Sequence, residues 1–522
     1  MIIIPLTIAW VVLAIWQLYR ASKTRSRRRK LAQEWNCQQS SHFPGGAFGI
    51  NVLRLLRGAH LEGQIAHLHR EGHLQYGSTL DANFLGHNVI STTEPENIQA
   101  ILASQFSSFG LSQRRHPQYQ PLLGEGIFTS DGKAWEHSRK LLRPQFTKDQ
   151  LPALEWFDCH SEHFMQSLPS DGYAFDAQEI FFRLALDTAT DFLFGECANS
   201  LLSADSNQTG VVEKGVGEGQ GFAEAFDHAQ YVLFQRSLAF SFYWLINPKQ
   251  FRKANSTVHR FIDYYVNKAL QCDQSNGSPQ TKEKGPDYER YYFLRALASQ
   301  TKDRKVLRDQ LVNVLLASRD DVASLLSSIF YLLARDQLAW KKLKEEISHA
   351  TSLCKDKIGL EEIQRLPYLR GVVHEALRLF PPVSLNARVA RHDTTIPVGG
   401  GPDGRAPVFV CKGQTILYSV WALHRRLDLW GEDAEDFRPE RWVARKQTAG
   451  EFLPFNAGPR VCLGQKFAVI QVSHLVFRAV QQLDRLESAD TGPDMGMRPP
   501  MRQTLTMCHK HGVQVRVYRV KH

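Results

Sequence analysis

The ten residues Phe455-Asn456-Ala457-Gly458-Pro459-Arg460-Val461-Cys462-Leu463-Gly464 constrain this chain more than any other stretch. A lone cysteine between glycines is ordinarily a small buried hydrophobe. Its surroundings here favour a ligand instead. Gly458 and Gly464 permit a tight turn and a close backbone approach to a flat partner, and Arg460 supplies a permanent positive charge. An apolar helical run follows at once, so a helix N-terminus lies beside the sulfur and favours its thiolate. The chain is long enough to enclose such a site: 522 residues, 43% hydrophobic and 22% charged, exclude both a disordered protein and a disulfide miniprotein. Eight scattered cysteines without zinc-type spacing fit a reducing compartment.

The N-terminus carries a separate instruction. Ile2 to Tyr19 has no charge and spans about 27 Å as a helix, close to a hydrocarbon core. Arg20, Lys23, Arg25, Arg27, Arg28, Arg29 and Lys30 follow, the reverse of a cleaved signal peptide. The order predicts an uncleaved single-pass anchor over 2–19, a basic stop-transfer segment and Pro/Gly hinge over 20–46, and a cytosolic globular domain over 47–522. These seven positives leave only +3 of the net +10 for the rest, so no nucleic-acid partner is expected.

Upstream motifs add to the cysteine segment. Glu375 and Arg378 share one face of a helix predicted over Leu366–Phe380, ended by Pro381-Pro382. His374-Glu375 starts like a zinc-protease motif, but Arg378 stands at its fifth position, and the glycine spacing from Gly126 to Lys133 is wrong for a phosphate loop. Trp135 and Arg139 lie one turn apart in a short helix stopped before Pro144. A long helix over Lys305–Leu333 repeats apolar residues at three- and four-residue steps. Polar stretches Ser203–Gly221 and Cys272–Gly285 read as loops flanking helical sequence, and the Gly399–Gly404 cluster as a turn before a strand at Val408–Val410.

The cysteine segment matches the F-x-x-G-x-R-x-C-x-G signature at every defined position and resembles the cytochrome P-450 superfamily, whose haem ligand is a cysteine thiolate. Glu375-Ala376-Leu377-Arg378, Phe437-Arg438-Pro439-Glu440-Arg441-Trp442 and Trp135-x-x-x-Arg139 fit further family motifs in order. Phe222-Ala223-Glu224-Ala225-Phe226, Asp263 to Leu270 and Leu307 to Leu311 are similar to the fungal branch that hydroxylates alkanes and fatty acids. The resemblance implies a mainly α fold with a small β region, here behind the N-terminal transmembrane helix. It implies haem b held by Cys462, with Phe455, Gly458 and Arg460 around it, Trp135 and Arg139 on one propionate, and Arg388 as a candidate for the other. A surface arginine at a strand start is the alternative account of Arg388.

It also implies an endoplasmic reticulum membrane protein that draws electrons from NADPH through the diflavin cytochrome P-450 reductase, with Lys133, Lys140, Arg143 and Lys466 as a candidate basic docking face. The implied substrate is a long apolar chain: a fatty acid, an alkane or a secondary-metabolite chain. Its implied pocket draws on the loop around Leu111 to Ile127, the central helix near Ala317, Val383 to Leu385, and the turn at Thr504 to Thr506.

One motif departs. Where the family has A-G-x-[DE]-T-[TS], this chain reads Ala317-Ser318-Arg319-Asp320-Asp321-Val322. Asp320 keeps the family's acid, and Asp321 stands where a threonine assists dioxygen activation. An ionised carboxylate only accepts hydrogen bonds, so Asp321 can replace a hydroxyl donor only when protonated, which an adjacent acid and an apolar pocket favour. Asp320 and Asp321 are therefore the candidate catalytic pair. A dioxygen-independent isomerase or dehydratase, and a haem protein that only binds an apolar ligand, remain alternatives at this point.

Overall fold

The computed structural model describes residues 3–46, 49–84, 86–147, 152–201, 219–275, 293–353, 358–444, 448–491, 496 and 498–521. Helices dominate. Those that build the site are α1 (Ile3–Glu34), α2 (Ile50–Glu62), α3 (Ile65–Tyr76), α4 (Gly132–Leu142), α5 (Ala177–Phe194), α6 (Gly219–Leu238), α7 (Lys249–Ser275), α8 (Arg304–Arg335), α9 (Pro367–Leu379) and α10 (Gln465–Gln482).

The basic run expected after the anchor is part of α1, as its many arginines and lysines, good helix formers, allow. Most side chains of the expected span over 2–19 lie outside the described residues. Among the described residues, no helix is long and apolar enough to cross a membrane. The expected hinge is docked onto the globule. Trp35 stacks on Phe409 at 5.6 Å, the Gln38 amide donates to Pro407 O at 2.9 Å, and Ser41–His42 pairs in parallel with the edge of strand Thr79–Phe84. An open sheet edge satisfies its backbone groups with whatever extended chain lies beside it, and here that chain is the linker.

α8 is the axis of the molecule. Asp303 caps it by accepting from the Lys305 and Val306 amides, and about 48 Å of helix follow, buried on nearly every side. α5, α9 and α10 pack against it, so the cysteine-bearing segment before α10 is held close to its middle. The two polar stretches flanking α6 and α7 fall mostly outside the described residues, although α6 begins at Gly219 and α7 runs on to Ser275.

The principal sheet orders its strands Ser41–His42, Thr79–Phe84, His87–Thr92, Thr415–Ser419, Leu385–Ala390 and Phe109–Gly110. The glycine cluster at 399–404 turns a hairpin between Thr394–Gly400 and Ala406–Val410, with Gly401 and Gly404 at φ +80° and +69°. Beneath the site, Glu375 and Arg378 are fully buried and paired bidentately at 2.8 and 2.9 Å. Arg378 also donates to the carbonyls of His424, Ala434 and Asp436, while Glu375 accepts from the Arg438 amide, Arg441 Nε and Trp442 Nε1. The motif spaced over 60 residues is thus one closed polar knot.

Candidate active site

α4, α8, α10 and the sheet enclose a cavity of about 630 Å³. Cys462, Trp135, Arg139, Arg388, Arg460, Phe455 and Asp321 all line it. Protein surrounds Cys462 on nearly all sides, yet its sulfur is accessible, because the surface it presents is the cavity wall.

The loop carrying the sulfur is fixed locally. The Cys462 amide donates to Phe455 O at 2.9 Å and the Val461 amide to Gly458 O at 3.0 Å, closing a compact turn before α10. Gly458 is required there for a reason other than the one expected. Its φ is +66°, and a Cβ would collide with the Leu102 carbonyl oxygen; it does not line the cavity. The close approach is to protein backbone, not to a flat partner. Gly464 adopts an ordinary φ of −86° and heads α10. Burial, followed by Asp321, pushes the Cys462 thiol up to about 11, while the Gly464 and Gln465 amides and the Arg139 charge pull the other way.

α4 closes one side. Arg139 Nη1 donates to Val461 O at 3.0 Å, tying the helix to the cysteine loop. Arg460 lies over the Trp135 ring at 4.4 Å and donates to Asp131 Oδ1 at 2.7 Å. Arg388 is 3% exposed, so it is not a surface arginine; it sits in the strand Leu385–Ala390, paired with Ile416. Its Nη1 donates to Ala387 O at 2.8 Å, but its Nε, like that of Arg460, is buried without a partner. Burial drives the Arg460 pKa down to about 10; Asp131 opposes that shift, and Arg388 and Arg115 reinforce it. These guanidiniums await an acceptor. Arg115 also lines this cavity, with Nε donating to Phe128 O at 2.8 Å. It opens a helix over Arg115–Leu123, and sequence reasoning missed it, because an arginine outside any motif carries no signal of its own.

α8 forms the opposite wall with Ala317, Ser318 and Asp321. The two aspartates part company here. Asp320 does not line the cavity: the step of one residue along the helix rotates it by about 100° from Asp321, toward Arg319, whose Nη1 donates to it at 3.0 Å and to Asp227 of α6 at 2.6 Å. Asp321 faces the cavity with Oδ1 buried and unpartnered. Burial and then Asp320 push its pKa up to about 8, whereas Asp320, partly compensated by Arg319, rises to about 6. The site therefore offers one accessible sulfur, buried arginine donors to one side, and a carboxyl across from it. Around these lie the segment from Leu111 to Ile127, whose expected loop contains a helix over Arg115–Leu123, Val383, Leu385 and the Thr504–Thr506 turn, all on the same cavity.

The model of the family described as Cytochrome P450 matches residues 44–514. The chain belongs to the cytochrome P450 family. Cytochrome P450 52A12 of Debaryomyces hansenii is 44% identical over 481 residues, covering 90% of each chain. Cytochrome P450 52A5 of Candida maltosa is 43% identical over 437 residues, covering 82% of this chain and 81% of the relative, and Cytochrome P450 52A6 of Candida tropicalis is 41% identical with the same coverage. This P450 is thus a haem-thiolate monooxygenase. Its residues suit that cofactor: the unpartnered nitrogens of Arg388 and Arg460 fit carboxylate side arms, and the accessible Cys462 sulfur fits an iron ligand.

Proposed function

We propose that this P450 hydroxylates a long apolar chain, a fatty acid or alkane, drawn from the membrane that its N-terminal segment enters. The carrying observation is the continuity of the cavity. Its lining runs from Cys462 to Val52, Leu55 and Leu56 of α2 and to Ser237, Leu238 and Phe240 at the end of α6. α2 and the short helix Phe240–Leu245 that follows α6 expose Ile50, Leu53, Leu55, Phe242, Trp244 and Leu245 to the outside. Exposed apolar side chains rimming the mouth of a largely apolar cavity suit a substrate that arrives through lipid. The similarity to the branch that acts on alkanes and fatty acids supports the same class.

The haem, when bound, activates dioxygen and transfers one oxygen atom to a C–H bond. Cys462 would hold its iron, with the Gly464 and Gln465 amides and Arg139 favouring the thiolate form. Arg388 and Arg460 are assigned to its carboxylates, with Trp135 holding Arg460 flat against the cavity wall. Asp321, neutral below about pH 8, holds a proton on the cavity side and donates it where the family's threonine donates. Asp320 acts as a positioning residue that fixes Arg319 between α8 and α6. Electrons come from NADPH through a diflavin reductase at the proximal face, where Lys133, Lys140, Arg143 and Lys466 are exposed. The anchor over 2–19 keeps the enzyme on the endoplasmic reticulum membrane with its catalytic domain in the cytosol.

Microsomes expressing the chain test this. The reduced, carbon monoxide-bound spectrum is expected to show a thiolate-ligated haem, followed by reductase-dependent NADPH use that yields hydroxylated long-chain product. A thiolate spectrum with no product from any long-chain fatty acid or alkane overturns the substrate assignment. Deleting 2–19 is expected to release the enzyme from microsomes.

A further inference from the structure

Away from the cavity, the fold buries more positive charge than it compensates. His67 and Arg70 lie one turn apart on α3 and are 7% and 9% exposed; Trp421 and Arg425, just after the strand Thr415–Ser419, are 0% and 2% exposed. None of the four lines the large cavity. They form one cluster: the His67 and Trp421 rings meet edge to face at 5.0 Å, and the Arg425 guanidinium lies over Trp421 at 3.6 Å. Arg70 pairs with Glu435, which also accepts from Arg425 Nε at 3.2 Å. One carboxylate therefore serves two buried guanidiniums, and the half-exposed Arg498 approaches it at 3.9 Å.

The donors left over are the informative part. Arg425 Nη2, Arg70 Nε and Trp421 Nε1 are all buried with no hydrogen-bond partner, as is His67 Nε2. Orphaned buried donors are rare in folded proteins, and three on adjoining residues with a surplus positive charge call for an acceptor that protein does not provide. We propose that this cluster binds one small monovalent inorganic anion of the halide class. The charge decides between occupants: water satisfies donors but leaves the second guanidinium uncompensated, whereas a single negative charge closes the balance. Burial, with help from Arg378 and Arg70, lowers the Arg425 pKa to about 9, as expected when a buried cation lacks its counter-charge.

The occupant ties α3 to the segment that supplies the His424 carbonyl to the buried Glu375–Arg378 knot. It thus stabilises the fold without touching haem or substrate. The test uses the holoenzyme of the full chain. Crystals grown in sodium bromide are expected to show an anomalous peak in contact with Arg425 Nη2 and Trp421 Nε1. In solution, chloride is expected to raise the melting temperature saturably, by about 2 °C over sodium gluconate at equal ionic strength. Trp421→Phe keeps the ring stacked on Arg425 and removes one donor, so its half-saturating chloride concentration is expected to rise several-fold with an unchanged carbon monoxide spectrum. No anomalous peak, or equal melting temperatures in chloride and gluconate, overturns the proposal. A failure here leaves the monooxygenase assignment intact, since that rests on Cys462 and the separate cavity.

Discussion

Replacing Glu375 with glutamine removes one charge and nearly no volume from the deepest polar knot in the molecule, and the cost follows from its partners. Glu375 is 0% exposed and accepts five hydrogen bonds: two from Arg378, and one each from the Arg438 amide, Arg441 Nε and Trp442 Nε1. Glutamine keeps one accepting oxygen and turns an NH2 donor toward groups that are themselves donors. Breaking a buried pair by removing one charge costs about 3–5 kcal/mol. For a chain of 522 residues the unfolding entropy is about 1.1 kcal/mol per kelvin, so the expected loss in melting temperature is only about 3–5 °C. Scanning fluorimetry of the holoenzyme resolves that loss. Lys341→Ala is the control: its pairing with Glu345 at 3.9 Å is solvent-exposed on both sides, so its expected change is below about 0.5 °C. A Glu375→Gln enzyme melting within 1 °C of the parent would refute the reading of this knot as an uncompensated-charge trap.

Other outcomes follow from the site. Gly458→Ala forces a side chain into a left-handed backbone and against the Leu102 carbonyl, and is expected to cost about 1–3 kcal/mol and to lower the yield of haem-loaded enzyme, read from the Soret-to-protein absorbance ratio. Arg388→Leu removes a buried cation with a free Nε and is expected to weaken hemin binding by the apo-protein about ten- to hundredfold in a fluorescence-quenching titration. Asp321 sits neutral below about pH 8, so the fraction of NADPH electrons recovered in product is expected to fall as pH rises through 8. Asp321→Asn, which donates a hydrogen bond but no proton, is expected to release more peroxide and to lose that pH dependence; unchanged peroxide release would remove the assigned role.

What could be read from sequence was what is local. The cysteine turn, the helix before Pro144 and the α8 periodicity each lie within a contiguous stretch whose residues answer to one another at fixed spacing, and each has its counterpart in the structure. Adjacent residues on a helix defeat that method. Asp320 and Asp321 carry the same chemistry one position apart, and only the packing of α5 and α6 around α8 decides that Asp321 meets the cavity and Asp320 meets Arg319. Arg115 and the docked linker at Ser41–His42 were hidden for a related reason: their meaning comes from partners tens to hundreds of residues away.

The arrangement of Arg319 shows why this departure from the family pattern holds together. A second acid beside Asp320 brings a second potential charge into the middle of a buried helix, and Arg319 is the only neighbouring cation on that turn. Its Nη1 is held elsewhere, bridging Asp320 and Asp227 between the Phe182 and Phe226 rings. Had Arg319 turned toward the cavity, it would have paired with Asp321, fixed it as an anion and removed its proton. By holding Arg319 outward, Asp320 and Asp227 leave Asp321 without a counter-ion, and burial then keeps the carboxyl protonated at neutral pH. On this argument Asp227→Asn, more than 90 residues from Asp321, weakens the outward hold on Arg319 and shifts the coupling profile to lower pH, with the half-maximal point of product per NADPH as its measure. An unshifted profile would mean that Asp321 keeps its proton through burial alone.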